Sequence, residues 1–394
     1  LVWKIISIRK RGAQMRKSYF SEEHEIFRKS FRKFLEQEAK PYHAEWEEAK
    51  QVPKSFWKKA GEQGFLCPWV DEKYGGSNAD FAYSIVMAEE LDKVGSGIGI
   101  GLHNDIVIPY IDEFGSEEQK QRWLPRAVSG DMISAIAMTE PGAGSDLAGV
   151  RTTAKKEGDH YVINGEKTFI TNGYSADLVI VVCVTDPDAT PKHKGISLIV
   201  VEEGTPGFRK GKKLRKLGQH ANDTAELIFE DAVVPAENLI GEEGKGFYYL
   251  MHKLQQERLM LAVGSITASK NMLATTIDYV KQRTAFGRPI SKFQNTQFKI
   301  AEMATKVKLG ETFVDKLIVD HIAKKNVVTE VSMAKWWLTD LAKSVANDCM
   351  QLHGGYGYME EYEIARRYRD VAVGSIYAGT NEIMKTIIAK NLGL

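Results

Sequence analysis

The chain has 394 residues, 43% hydrophobic and 27% charged, a balance that fits a folded protein of two or three domains and excludes a disordered or collagen-like one. Fifty-three Lys and Arg against 52 Asp and Glu leave a net charge of +1, so there is no global electrostatic drive toward nucleic acid. No apolar run approaches the roughly 20 residues of a membrane helix. The three scattered cysteines, Cys67, Cys183 and Cys349, offer neither a disulfide framework nor a CxxC pair, and suit a reducing compartment.

Residues 1–14, LVWKIISIRKRGAQ, are basic without a single acid and lack the apolar core of a secretory signal. They are taken as a leader or misplaced start ahead of Met15, with a cytoplasmic location as the default and the mitochondrial matrix if the source is eukaryotic. From there to residue 131 the spacing predicts helices. SEEHEIFRKSFRKFLEQEAKPY places Phe27, Phe31, Phe34 and Leu35 on one face, starts near Ser21 and Glu22, and is closed by Pro41. FAYSIVMAEELDKVG ends at Gly95, and SEEQKQRWLPRAVSG opens with a capping box of Ser116 and Gln119.

Over 132–241 the period drops to two. HYVINGEKTFITNG, DLVIVVCVTD, GISLIVVEEG and AELIFEDAVVP are β-branched runs split by turn residues, which predicts an antiparallel β domain. Over 242–394 the helical period returns with the weight of a bundle. The expected fold class is therefore α+β, with an N-terminal helical domain at 15–131, a middle β domain at 132–241 and a C-terminal helical domain at 242–394.

Six stretches stand out. TEPGAGSD (139–146) pairs hydroxyls with glycines that let backbone approach a ligand, but its spacing is not that of a dinucleotide fingerprint. FITNG (169–173) ends a strand with an aromatic beside a hydroxyl. QRTAFGRPISKFQ (282–294) sets Arg283 before a glycine turn, a pattern suited to a pyrophosphate. QLHGGYGYMEEY (351–362) carries more glycines than a helix cap needs; its lone His353 has no second ligand at metal spacing, so no metal site is expected. YAGTNEIM (377–384) turns into a final helix capped by Thr380 or Asn381. LQQERLMLAVGS (254–265) is helical, with Leu254, Leu261 and Gly264 inward and Glu257 and Arg258 near the edge. Taken singly, each stretch is also an ordinary turn, strand end or helix face.

In this order, and over nearly the whole chain, these motifs resemble the acyl-CoA dehydrogenase family. The resemblance implies FAD, a homotetramer with shared cofactor sites, and removal of hydrogen from Cα and Cβ of an acyl-CoA thioester to give the trans-2-enoyl product. It places Ile136, Met138, Thr139, Ser145, Phe169 and Thr171 around the flavin. Arg283, Ala285, Phe286 and Gln294 would reach the FAD of a neighbouring subunit. Gln351, Gly354 and Gly355 would approach its adenosine end, and Thr380 and Glu382 the cofactor as well. Ser145, Arg258, Ala378 and Gly379 would meet the substrate.

Most members carry their catalytic glutamate in a Tyr-Glu-Gly-Thr motif. Here the motif is Tyr377-Ala378-Gly379-Thr380, and alanine cannot accept a proton. The long-chain and isovaleryl branches place a glutamate on the helix aligned with LQQERL, where this chain has Glu257, the expected base. The other motifs look most like the long-chain branch, acting in fatty-acid β-oxidation with electron-transferring flavoprotein as acceptor. The alternatives are an isovaleryl-type enzyme, an acyl-CoA oxidase or flavin monooxygenase on the same fold, and, weakest, a nucleic-acid-binding relative.

Overall fold

The computed structural model describes residues 17–95 and 97–394. The basic leader, Met15 and Ser96 lie outside the described residues. The first helix, α1 (Glu22–Glu38), starts at Ser21, whose hydroxyl accepts from the His24 amide while the His24 ring returns a bond to the Ser21 amide. Phe31, Phe34 and Leu35 are buried and Phe27 packs alongside them. Pro41 sits in a 3-10 turn just past the end of α1. Then come α2 (His43–Ala49), α3 (Lys54–Glu62) and α4 (Phe81–Val94), which stops at Gly95. A short α5 (Ile100–Leu102) runs through one π turn at His103–Val107 into α6 (Ile108–Phe114). The capping box of Ser116 and Gln119 opens α7 (Glu117–Val128) as expected.

The middle domain holds β1 (Ser134–Ala137), β2 (Thr153–Glu157), β3 (His160–Thr171), β4 (Leu178–Val184), β5 (Ile196–Glu202), β6 (Phe208–Lys213) and β7 (Thr224–Pro235). The strand order is β1-β4-β2-β3-β7-β6, with β5 paired to β4. The expectation of an antiparallel domain needs one correction: β1 runs parallel to β4 over four residue pairs, and β2 joins β4 by a parallel bridge. The reason is burial. Leu178, Ile180, Val182, Ile196, Leu198 and Val200 pack with the helices α6 and α7, while Val179, Val181, Cys183, Ile199 and Val201 fill the opposite face. A strand covered on both faces is continuously apolar, and its sequence carries no alternation from which to read direction.

The C-terminal domain begins with α8 (Gly246–Gln282), a 37-residue helix that shares one core with α4, α9 and α10. A small hairpin of β8 (Thr284–Ala285) and β9 (Arg288–Pro289) leads into α9 (Gln294–Ile322). It is followed by α10 (Val328–His353), α11 (Glu363–Asp370) and α12 (Asn381–Asn391). Cys67, Cys183 and Cys349 are free and buried. No described helix is long and apolar enough to cross a membrane.

One buried ion pair fixes the loop that follows β1. Lys167, with no exposure, donates to Glu140 at 2.8 Å and to the Met138 carbonyl at 3.1 Å. Glu140 also accepts from the amides of Arg151 and Thr152. Removing one partner of such a pair strands the other charge out of water. Lys167→Met should therefore destabilise the protein by about 3–5 kcal/mol in urea unfolding, with Glu140→Gln milder because the amide still accepts one bond. An unchanged midpoint for Lys167→Met would show that the pair holds nothing in place.

Candidate active site

The end of β1 and the end of β3 lie side by side. The Thr168 amide donates to the Thr139 carbonyl at 2.9 Å, and the Thr139 hydroxyl returns a bond to the Thr168 carbonyl. Between Lys167 and Ile170 the pairing of β3 with β7 slips, and within that bulge Phe169 takes φ 60° and stands 69% exposed. A bulge re-aims a side chain, and a left-handed phenylalanine is held only where its surroundings insist on it. The strand thus presents a flat aromatic face outward between buried Thr168 and half-buried Thr171. Ile136 and Met138 are half-buried on the side facing α6 and α7. Ser145 is exposed, and a Cβ added at Gly142 or Gly144 would meet nothing within 4 Å. Open glycines, exposed hydroxyls and a bare aromatic ring fit a planar, polyanionic cofactor.

A second group gathers where α8 and α10 end. The hairpin turns through Phe286 and Gly287, at φ 50° and 76°, the geometry of a two-residue hairpin loop. Phe286 is 95% exposed. The Arg283 guanidinium lies 5.5 Å from the Tyr356 ring, which draws the QRTAFG loop to the turn after α10. Gln294, Gln351, Gly354 and Gly355 are exposed, Ala285 is half-buried, and added Cβ atoms at Gly354 and Gly355 would meet open space. His353 is buried, bonded through Nδ1 to the Cys349 carbonyl at 2.8 Å and stacked on Tyr279. No hydrogen bond or ring contact among the described residues links this group to Thr139 and Phe169 within the one chain.

The third group surrounds Glu257. Its neighbour Gln256 donates to the Asp105 carbonyl at 2.8 Å, in the π turn, where the widened helix frees carbonyls for outside partners. Asp105 itself is pushed up to about 7 by burial, opposed by the Ser84 hydroxyl at 2.5 Å. Glu257 as a whole is half-buried, yet its Oε2 is sealed from solvent and has no hydrogen-bond partner. Burial pushes its carboxyl up to about 7, with Arg258 and Lys335 pulling the other way. Arg258, expected near the helix edge, is 6% exposed instead. The domain contacts of α8 leave no edge there, and burial holds its guanidinium below the ordinary range against the attraction of Glu257.

Opposite them, Ala378 and Gly379 are both left-handed, at φ 52° and 87°. Arg258 Nη2 lies 3.9 Å from where a Gly379 Cβ would sit. Thr380 caps α12, its hydroxyl accepting from the Ile383 amide, and Glu382 is exposed. A cavity of about 160 Å3 opens next to this group, between α4, α8 and α11. Leu261, one turn beyond Glu257, and Tyr377, beside Ala378, line its near side; Gly264, Ala268 and Gly374 keep it open; the Asp92–Arg367 ion pair forms part of its wall.

Three family models together match almost the entire described chain: the N-terminal domain of acyl-CoA dehydrogenase at 21–131, the middle domain at 135–232 and the C-terminal domain at 244–393. The chain belongs to the acyl-CoA dehydrogenase family. It is an oxidoreductase acting on acyl-CoA, in a family of FAD-dependent flavoproteins. A mitochondrial long-chain specific acyl-CoA dehydrogenase of Sus scrofa is 52% identical over 95% of this chain and 87% of its own. A mitochondrial isovaleryl-CoA dehydrogenase of Pongo abelii is 37% identical, covering 94% of this chain and 90% of its own. The crystal structure of an acyl-CoA dehydrogenase from Geobacillus kaustophilus superposes with a TM-score of 0.95 at 66% identity, over 96% of this chain and all of that one.

Sequence reasoning overlooked two groups beside Glu257. Lys335 is fully buried on α10, and the Tyr110 hydroxyl is buried without a partner and feels the Glu257 charge. The signal for Lys335 was present: it falls on the stripe of Val331, Leu338 and Ala342, the apolar face of its helix. Tyr110 gave no such signal, because a tyrosine in an apolar helix is ordinary core.

Glu257 makes stability depend on pH in a definite sense. Its folded pKa, about 7, lies above its ordinary 4.5, so the folded state keeps a proton that the unfolded chain has lost. That contribution is complete below pH about 4.5 and is lost as pH rises through about 7. Glu257→Gln should accordingly unfold at higher urea than the native enzyme at pH 8, by about 1–3 kcal/mol, and the gain should shrink toward zero below pH about 4.5. An equal gain at both pH values would contradict a buried, titrating carboxylate.

Proposed function

We propose that the chain is an FAD-dependent dehydrogenase of long-chain acyl-CoA thioesters that forms the trans-2-enoyl product, with Glu257 as the base. The observation that carries this reading is the Glu257 carboxyl, whose Oε2 is sealed without a partner beside Arg258, which reaches the left-handed Ala378–Gly379 turn, one helical turn from a cavity lined by Leu261 and Tyr377. A thioester α-proton is only weakly acidic, so its removal needs a carboxylate whose pKa has been raised toward that of the carbon acid. Burial supplies that increase for Glu257. Negative charge then develops on the thioester oxygen, and the backbone N–H of Ala378 is available to receive it. Because the base sits on α8, the side chain at 378 can be a methyl group.

The open glycines with Thr139, Phe169 and Thr171 fit the flavin end of FAD, with Ile136 and Met138 behind them. FAD, when bound, supplies the two-electron acceptor for the β-hydrogen. Ser145, Arg258 and Gly379 would meet the substrate, and Thr380 and Glu382 the cofactor. Arg283, Ala285, Phe286, Gln294, Gln351, Gly354 and Gly355 form a separate exposed group, and a 95% exposed phenylalanine on a hairpin suits burial by another copy. We assign this group to the FAD of a neighbouring subunit in a homotetramer. Electron-transferring flavoprotein as acceptor follows from the family resemblance. A soluble compartment, the cytoplasm or the mitochondrial matrix, follows from the same resemblance and from the mitochondrial relatives.

The long-chain reading over the isovaleryl one is favoured by 52% against 37% identity. A Cβ at Gly264 would meet nothing within 4 Å, so a side chain there would project into free space at the cavity. Purified protein should be yellow with about one FAD per chain, and its flavin should bleach anaerobically with long saturated acyl-CoAs at lower concentrations than with short or branched ones. Gly264→Leu should keep short-chain activity and weaken the long-chain response by at least about tenfold, the cost of roughly 1.4 kcal/mol of lost binding. Colourless protein that takes up no FAD would defeat the assignment. Oxygen consumption matching turnover would instead make the protein an oxidase. An unaltered chain-length profile in Gly264→Leu would detach the cavity from the substrate.

A further inference from the structure

The apolar face of α10 contains a lysine where packing alone would favour a hydrophobe. Lys335 has no solvent exposure, and its Nζ donates to the Gly379 carbonyl at 2.7 Å and to Asn381 Oδ1 at 3.1 Å. Among the described residues no carboxylate pairs with it at ion-pair distance. Taking an ammonium out of water without a direct ion pair costs several kcal/mol, which Asp340 and Glu382 offset only from a distance, and a methionine of similar length would avoid that cost. Stability therefore gives no reason for this residue, and what it touches does.

The carbonyl it holds belongs to the Ala378–Gly379 turn. Two successive left-handed residues, one of them an alanine, form a strained segment that persists only when its surroundings fix it. The fixing is elaborate. Asn381, which shares Lys335, also accepts from the Thr339 hydroxyl and donates to Asp340 and to the Trp336 carbonyl, so the start of α12 is tied to α10 through side chains. Arg258 closes on the other side of Gly379. Two buried cations thus touch or approach this turn, and both act on the Glu257 charge.

We propose that Lys335 is a positioning residue for the dehydrogenation: it locks the Ala378–Gly379 turn opposite the Glu257 carboxylate and, by its charge, helps keep that carboxylate in its basic form. This rests on the assignment of Glu257 as the base. The charged and titratable groups that face Glu257 are Arg258 on its own helix, Lys335 from α10, Tyr110 from α6 and Tyr377 from the segment before α12. Arg258 and Lys335 lower its pKa, against the larger effect of burial. Lys335 itself is brought down to about 8 by burial and by Arg258, with Asp340 and Glu382 pulling the other way, so it remains mostly charged at neutral pH. Removing its charge must move the ionisation of Glu257 to higher pH.

The test uses the FAD-loaded enzyme and three substitutions, Lys335→Met, Lys335→Gln and Lys335→Arg, with Glu257→Gln alongside. Flavin bleaching by a saturated long-chain acyl-CoA is followed by anaerobic rapid mixing from pH 6 to 9, with FAD content and the melting temperature measured on the same samples. Lys335→Met should retain FAD, bleach at least about tenfold more slowly at pH 7, and show its pH midpoint raised by about half a unit or more. Lys335→Gln, which keeps hydrogen-bond donors without the charge, should recover part of the rate but retain the raised midpoint. Lys335→Arg should return the midpoint to the native value. A purely structural lysine would lower the melting temperature and leave the midpoint where it was. That result, or native rates in Lys335→Met with an inactive Glu257→Gln, overturns the inference alone. Native bleaching in Glu257→Gln overturns the base assignment and this inference with it. If Lys335→Met fails to hold FAD, the midpoints of Lys335→Gln and Lys335→Arg decide the matter.

Discussion

The site depends on keeping one carboxylate out of water without neutralising it for good. A buried Glu left to itself becomes a permanently protonated acid, and one surrounded by cations becomes too weak a base. Glu257 lies between these limits. Burial raises it to about 7, and two buried cations, Arg258 and Lys335, stop it from rising further. Neither cation is placed to quench it by a direct ion pair, since Oε2 remains without a partner. A group balanced in this way changes protonation state near neutral pH, which is what the proposed role as general base for a weak carbon acid requires.

The rest of the architecture holds that balance in position. The helix α8, which carries the proposed base, shares one core with α4, α9 and α10. Gln256, one residue before Glu257, is bonded to the π turn of the first domain, so the first domain is tied to α8 right beside Glu257. The turn at Ala378 and Gly379 is tied through Lys335 and Asn381 to α10. In the β domain the Glu140–Lys167 pair holds the loop after β1 against β3, beside the bulge that exposes Phe169. Each link is a buried polar contact between segments distant in sequence, which makes the geometry specific at some cost in stability.

Local chemistry was legible in the sequence wherever it was sufficient. Ser21, Ser116 with Gln119, Gly95 and Thr380 end or start helices by rules that involve only their near neighbours, and the structure follows them. The replacement of a glutamate by Ala378, with Glu257 offered on a helix, was also visible, through resemblance. What escaped was set by tertiary burial. Strands β1 and β4 are apolar on both faces, so nothing in their sequence marked them as parallel. Arg258 was expected at an edge that the domain packing abolishes. Phe169 was recognised as an aromatic at a strand end, but the bulge that turns it outward arises from its pairing with β7. Lys335 and Lys167 were not singled out at all, because most lysines are surface charges and only their phase on an apolar face or strand distinguishes these two.

The most direct measurement of the central claim is the rate of flavin reduction in Glu257→Gln. The substitution keeps the size and hydrogen bonding of the side chain and removes its capacity to accept the α-proton. Anaerobic rapid mixing with a saturated long-chain acyl-CoA should show FAD still bound, acyl-CoA still recognised, and bleaching slowed by at least about 10²-fold, the low end for loss of a general base. Bleaching at close to the native rate would place the base on another residue and would leave the buried carboxylate at 257 without a role in the reaction.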